Sequence, residues 1–279
     1  MIQVITDSAA DLPAEIVKKY NITVVPLTVH IDGEEYTDGV DISSQEFYKK
    51  MAKSKELPKT SQPSVASFIK VFQELESKGE QLCINISSKL SGTYQTACLA
   101  QKLSGVNVAV FDSWSATLGQ GLQVIKAALL AEKGMSREHI IQILTEYKKG
   151  MTHYVLLDTL ENVVKGGRLS KFQGTLAKLL NIKVLLTGVE GALIILDKIH
   201  GRKKALQRII DRMGEKLQGA KDIPTKLFSI SHFNNLKDAE MLKSQIMKKF
   251  DIKDEQFIIN EMGATIATYA GEGGMVISF

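Results

Sequence analysis

Only two cysteines occur in the 279 residues, Cys83 and Cys98, and neither has a second cysteine or a histidine nearby at metal-ligand spacing. A disulfide framework and a cysteine-based metal centre are thereby excluded, and both side chains read as buried, reduced thiols. Aromatic residues make up only 6% of the chain, so any apolar binding surface must be lined mainly by Leu, Ile, Val and Met. Charge of one sign is not concentrated anywhere. The net charge of +4 comes from 35 basic and 31 acidic residues without a run of five or six like charges, a balance too mild and too dispersed for a nucleic-acid surface. No apolar stretch approaches the ~20 residues that span a bilayer. The N-terminus opens on a strand-like run, Met1 to Val4, instead of a basic stretch followed by an apolar segment. The expectation is a cytoplasmic protein with transient membrane contact at most.

What remains is ordinary for a globular protein, with 44% hydrophobic and 24% charged residues. The length is near the size at which one core divides, which predicts two lobes with a cleft between them, residues 1–150 and 151–279. In the first half, compact strands at Ile2–Thr6, Thr23–Ile31, Leu82–Ile86 and Val106–Phe111 alternate with helical patterns. One of these opens at Pro13, a residue suited to a first helical turn, and Asp32-Gly33 signals a hairpin into Glu34–Thr37. The β-α-β-α order predicts a parallel sheet with helices on both faces, whose ligand site lies beyond the carboxyl ends of its strands. Ser136–Lys149 carries both helix start and stop signals. Beyond it a strand at Tyr154–Leu157, a hairpin from Lys183 to Ile199, a helix over Arg202–Leu217, a strand at Leu227–Ser231 and a helix over Asp238–Phe250 predict a mixed α/β second lobe.

Three loops are rich in hydroxyls and precede helical patterns: Thr60-Ser61-Gln62-Pro63-Ser64, Ser87-Ser88-Lys89-Leu90-Ser91-Gly92-Thr93, and Asp112-Ser113-Trp114-Ser115. Hydroxyls together with free N–H groups at a helix start form an anion site that needs no formal positive charge. Ser and Thr are also the preferred N-caps, and capping accounts for Ser113 and Ser115. Four hydroxyls in seven residues exceed what one cap requires in the second loop, where the Ser91-Gly92 step gives a ligand room to approach the backbone. Asp7, Asp11 and Asp112 fit caps and turns better than a metal site. The five histidines, at 30, 139, 153, 200 and 232, are isolated and read as structural or solvated, so no metal is expected.

The segments Thr6-Asp7-Ser8-Ala9-Ala10-Asp11, Thr60-Ser61-Gln62-Pro63-Ser64, Ser87-Ser88-Lys89-Leu90-Ser91-Gly92-Thr93-Tyr94 and Lys165-Gly166-Gly167-Arg168-Leu169-Ser170, in this order, resemble the DegV family. That family includes the fatty-acid-binding subunits of the bacterial fatty acid kinase. The resemblance implies a two-lobed α/β protein that encloses one long-chain fatty acid between or beneath its lobes. It further implies that the carboxylate is presented to a separate ATP-dependent kinase, which makes an acyl phosphate for phospholipid synthesis. On this reading the chain is a carrier with no cofactor and no catalytic residue. Thr60 and Ser91 would hydrogen-bond the carboxylate with Ser61 and Gly92 beside them, and Arg168 and Arg202 would dock the kinase. Tyr269 stands where the family often has a histidine in a Thr-His-x-Gly-Pro-Gly-like segment, and tyrosine supplies a hydrogen bond without the option of a cation.

An acyl ligand is physically reasonable, because burying about sixteen carbons at roughly 0.8 kcal/mol per CH₂ gives a gross gain of ~10 kcal/mol. An unpaired carboxylate would cost several kcal/mol, so the head needs two or three donors. The competing readings are an acyl-ester hydrolase and a phosphotransferase that uses the hydroxyl-rich loops. Ser91 has no Gly-x-Ser-x-Gly elbow and no assignable base, and the chain has no Gly-x-x-x-x-Gly-Lys-[Ser/Thr] loop.

Overall fold

The computed structural model describes residues 2–169, 181–220 and 222–279. Its strands are β1 (Gln3–Asp7), β2 (Thr23–Val25), β3 (Thr28–Ile31), β4 (Glu34–Thr37), β5 (Lys59–Ser61), β6 (Gln81–Asn85), β7 (Val108–Asp112), β8 (His153–Leu157), β9 (Ile182–Val189), β10 (Ala192–His200), β11 (Phe228–His232), β12 (Phe257–Glu261) and β13 (Met275–Ser278). The helices are α1 (Ala14–Lys19), α2 (Ser44–Lys53), α3 (Val65–Leu75), α4 (Thr93–Ser104), α5 (Thr117–Glu132), α6 (Arg137–Gly150), α7 (Glu161–Lys165), α8 (Arg202–Leu217), α9 (Leu236–Phe250) and α10 (Ala264–Ala270).

Strands β1 and β6, buried at every position, sit at the centre of a parallel sheet of order β2-β1-β6-β7. Both faces of that sheet are covered. Val4, Leu82 and Ile84 pack with Val124, Ile140 and Leu144 of α5 and α6, while Ile5, Val25 and Cys83 pack with Phe68, Phe72, Ala97 and Ala100 of α3 and α4. Their apolar centres, Val4-Ile5 and Leu82-Cys83-Ile84, suit burial on two sides, and the polar residues lie toward the strand ends. The other large sheet has the order β10-β9-β8-β13-β11-β12, with β11 and β12 parallel and the remaining pairs antiparallel. Its outer face, with Tyr154, Leu156, Phe228, Ile230 and Ile277, packs on α8 and α9. The inner face looks toward the parallel sheet.

Two differences from the sequence reading follow from local chemistry. The segment Thr23–Ile31 is not one strand. It divides at Pro26, which lacks an N–H for the ladder, into β2 of the parallel sheet and β3 of a small antiparallel sheet of order β4-β3-β5. Thr60 and Ser61, expected in a loop, belong to the edge strand β5 of that sheet. Elsewhere the punctuation holds. Asp32 and Gly33 both take positive φ, as a two-residue hairpin turn requires, and Ser136 caps α6 by accepting from the His139 N–H. Cys83 is buried and Cys98 half-buried, and both are free thiols.

Candidate functional site

Beyond the carboxyl ends of β2, β6 and β7 the chain turns at Leu27, Ile86 and Trp114–Thr117, and these residues line one wall of a cavity. The opposite wall is the inner face of the six-stranded sheet, with Val155, Leu157, Gly188, Leu193 and Val276, and α10 closes a side with Thr265, Ile266, Tyr269 and Ala270. The cavity holds about 910 Å³ of empty space, part of it continuous with solvent. Its position at strand carboxyl ends is where open α/β sheets bind ligands.

Polar groups gather at one end. The side chains of Thr60 and Ser61 point to opposite faces of β5. Thr60 enters the cavity and its Oγ1 shares a 2.6 Å hydrogen bond with the Tyr269 hydroxyl across 209 residues of sequence. Ser61 is exposed and pairs with His30 at 3.1 Å. Ser91 also lines the cavity, just before the start of α4, where the helix dipole favours an anion. Its Oγ lies 2.9 Å from the Thr93 hydroxyl. Gly92 does not line the cavity. A side chain there would collide with Gln62, whose amide lies over it and donates to Thr96, so the glycine makes room for a neighbouring residue.

Arg168 completes this end. Its guanidinium lies 4.4 Å from the centre of the Tyr269 ring and donates to the carbonyls of Leu90 and Gly166. It lines the same cavity as Thr60 and Ser91, so a fixed positive charge sits beside two hydroxyls and a helix start. Gly166 admits the Tyr269 ring, which a Cβ there would overlap. Ser170, which ends the Lys165–Ser170 segment, lies outside the described residues. Arg202 is elsewhere. Its Nε donates to Asp238 and its Nη1 to Asp158, each at 2.9 Å, and Nη1 also reaches the Gly273 carbonyl at 2.6 Å. The side chain is 21% exposed and engaged by all three of these partners.

The other end of the cavity carries a residue that sequence reasoning set aside. His153 is enclosed by protein, and burial pushes its imidazole down to about 4, so the ring is neutral. Its Nε2 lies 2.9 Å from Ser115 Oγ and its Nδ1 2.9 Å from Ser278 Oγ. The one signal for it in the sequence was its place beside the strand expected at Tyr154–Leu157. Trp114 was likewise missed as a cavity residue, because its positive φ of 55° turns it in a way no pattern announces.

The aspartates behave as caps. Asp7 accepts from the N–H groups of Ala9 and Ile86, and Asp112 from those of Ser88 and Trp114. Asp11 and Asp38 both accept from the first N–H groups of α10, at Gly263 and Ala264. Burial raises the carboxyls of Asp7, Asp11 and Asp38 above their ordinary value. No group of three or more His, Cys, Asp or Glu side chains among the described residues is arranged to hold a metal ion. No helix among them is long and apolar enough to cross a membrane.

Known proteins share both the sequence and the fold. A DegV domain-containing protein of Caldanaerobacter subterraneus subsp. tengcongensis is 37% identical over 280 residues, covering 100% of this chain and 98% of the relative. The structure of DegV from Bacillus subtilis, described as a fatty acid binding protein, superposes with a TM-score of 0.89 at 32% identity, covering 99% of this chain and 98% of that one. A stearic-acid-binding protein of Eubacterium ventriosum superposes with a TM-score of 0.91 at 26% identity, over 100% and 97% of the two chains. The family profile described as an uncharacterised protein of the DegV family matches residues 1–279 without interruption. With that whole-length match and these relatives, the chain belongs to the DegV family.

Proposed function

We propose that this protein binds one long-chain fatty acid in the cavity and presents its carboxylate to a separate ATP-dependent kinase for acyl phosphate formation. The observation that carries the reading is the division of one cavity into a polar end, with Thr60, Ser91, Tyr269 and Arg168, and a body lined by Leu27, Ile86, Leu157, Leu193, Ile266 and Val276. A carboxylate needs donors and positive potential, which the first group offers, and an alkyl chain needs dry surface, which the second supplies. The fatty acids named for the two structural relatives agree with that division.

In this arrangement Thr60 and Ser91 orient the carboxylate, Tyr269 braces Thr60, and Arg168 supplies charge. Ser61 and Gly92 act one step away, by fixing β5 and by admitting Gln62. The kinase approaches the end that carries Arg168, and Arg202 contributes by holding the Asp158 segment next to α7. The 1–150 and 151–279 lobes form the two walls, so the ligand fills the space between them. A hydrolase would need a base on its serine. Ser91 has a threonine for its neighbour, and the Ser115–His153 pair, although at hydrogen-bond distance, has a serine where a catalytic histidine needs a carboxylate to orient it.

Native mass spectrometry of the purified protein, followed by organic extraction, should give about one fatty acid per chain. Protein that stays empty after incubation with common fatty acids refutes the reading. Thr60→Ala combined with Ser91→Ala should lower kinase-dependent acyl phosphate formation by one to two orders of magnitude, at roughly 1 kcal/mol or more per lost hydrogen bond to a charged group, with the melting temperature little changed. Undiminished turnover would show that other groups hold the head.

A further inference from the structure

Strand β8 contributes three side chains to the cavity wall. The side chains of His153, Val155 and Leu157 alternate onto one face of β8, so His153 and Leu157 mark points about 13 Å apart at ~3.3 Å per residue. The Leu157 end leads into α7, whose following residue Gly166 receives the Tyr269 ring, and this is the polar end. His153 therefore stands at the opposite limit, together with Ser115 and Thr117 at the start of α5. His153 is half-buried as a residue and lines the cavity.

The imidazole is held in place from both sides. Ser278 pairs with His153 in the β13–β8 register and bonds Nδ1, while Ser115 bonds Nε2 and itself accepts from Gln123. With both nitrogens in use, the ring offers the cavity its carbon edge and no free polar group. Two glycines make room for it. A Cβ at Gly119 would meet the ring at 2.9 Å, and one at Gly188 would meet Cδ2 at 3.2 Å. A planar side chain with its rotamer fixed at two points is a rigid stop, unlike a leucine or methionine that yields to a longer ligand.

We propose that His153, positioned by Ser115 and Ser278, is the specificity-determining residue that ends the acyl channel and sets the longest fatty acid this protein accepts. The inference rests on the fatty-acid reading of the same cavity. It assigns His153 a steric role, and the two serines a positioning role.

The test is competition binding across straight-chain saturated acids from dodecanoic to eicosanoic, with wild type, His153→Ala, His153→Gln and Gly188→Ala. Wild type should show a sharp loss of affinity above one chain length. His153→Ala should move that limit upward, favouring the longer acids by about fourfold for each methylene that finds room. Gly188→Ala puts a methyl between β9 and the ring and should move the limit downward. His153→Gln retains hydrogen-bonding capacity and bulk and should restore the wild-type limit, which a general loosening of the fold would not do. If wild type binds the series and both His153→Ala and Gly188→Ala keep its length profile, the assignment of His153 is overturned while the fatty-acid reading stands. If wild type binds no member of the series, the fatty-acid reading itself falls. Should His153→Ala fail to fold, the downward shift in Gly188→Ala decides the matter alone.

Discussion

Replacing Arg202 by alanine tests whether this arginine is a free docking residue or a structural tie. It sits at the first residue of α8 and bridges Asp158 beyond β8, Asp238 in the first turn of α9 and the carbonyl of Gly273 before β13. A fully buried charge pair broken from one side costs about 3–5 kcal/mol, and an exposed one about 0–1. The exposures here, 21% for Arg202, 24% for Asp238 and 36% for Asp158, place the site between those limits. Relief comes from the partners left behind, since Asp158 keeps Lys183 at 2.7 Å and Asp238 keeps the Asn235 amide. Arg202 is also an imperfect hub, because its buried Nη2 has no partner within the described residues. A loss of about 2 kcal/mol follows, with the Gly273 carbonyl the group most plainly orphaned. For a chain of this size that lowers the melting temperature by about 4 °C, at roughly 2 °C per kcal/mol. Thermal melts at low and moderate salt measure it, and Arg202→Lys should recover only part, since a compact ammonium lacks the planar fork whose two nitrogens meet both carboxylates and the carbonyl. A melting temperature within a degree of wild type would refute the structural tie and return Arg202 to the docking surface.

Two further perturbations test the buried ionisable groups. Asp11→Asn should raise the melting temperature at neutral pH, because desolvation and the neighbouring Asp38 disfavour the Asp11 carboxylate. Its φ of 48° is one that asparagine tolerates, and the gain should vanish below the ordinary carboxylate value of 3.8, where aspartic acid is neutral too. An unchanged or lowered melting temperature at neutral pH would mean that the ionised form is favoured after all. His153, depressed from 6.5 to about 4, acts in the other sense. The unfolded chain takes up its proton first as pH falls, so stability complete above pH 6.5 is lost progressively toward pH 4, on the order of 3 kcal/mol at about 1.36 per pH unit. The raised carboxyls of Asp7, Asp11 and Asp38 oppose this by gaining stability on protonation. Urea denaturation of wild type against His153→Gln across that window isolates the histidine, and parallel curves would refute its assignment.

The N-terminal half of the fold was legible because strands buried on two faces carry compact apolar centres, as in Val4-Ile5 and Leu82-Cys83-Ile84, and because turn residues such as Asp32-Gly33 have few alternative uses. Pro26 was equally visible as a residue, but its consequence, a change of sheet between Val25 and Thr28, depends on which strand lies next door. The hydroxyl-rich loops pointed to segments that border the cavity without separating Thr60, which enters it, from Ser61, which pairs with His30 in solvent. Strand alternation does that, and a three-residue edge strand is too short to announce itself. Arg202 carried the same one-dimensional signal as any surface arginine, since its partners lie 36, 44 and 71 residues away. His153 was unreadable for the same reason, with Ser115 and Ser278 lying 38 and 125 residues off.

The polar end of the cavity and the buried acids meet in one short element. Helix α10 has seven residues, too few to be stable by itself, and it presents Tyr269 to Thr60 near its last turn. Its first turn is gripped by Asp11, accepting from Gly263 N–H at 2.9 Å, and by Asp38, accepting from Ala264 and Thr265 N–H at 2.9 and 3.2 Å. Carboxylates at that position complement the helix dipole, which offsets part of the cost of burying them. Gly263 is required by the same grip, since a Cβ would come within 2.9 Å of Asp11 Oδ1 and 3.1 Å of Asp38 Oδ1. Asp11 also reaches Thr117 at the start of α5, and Thr117 reaches Ser231 of β11. The bonded chain Ser231–Thr117–Asp11–Gly263 therefore runs from the six-stranded sheet through α5 to the foot of α10, and the helix carries it to Tyr269. Asp11, placed among the caps by its sequence, joins Asp38 as a clamp in three dimensions, and what the two fix is the position of the hydroxyl that braces Thr60.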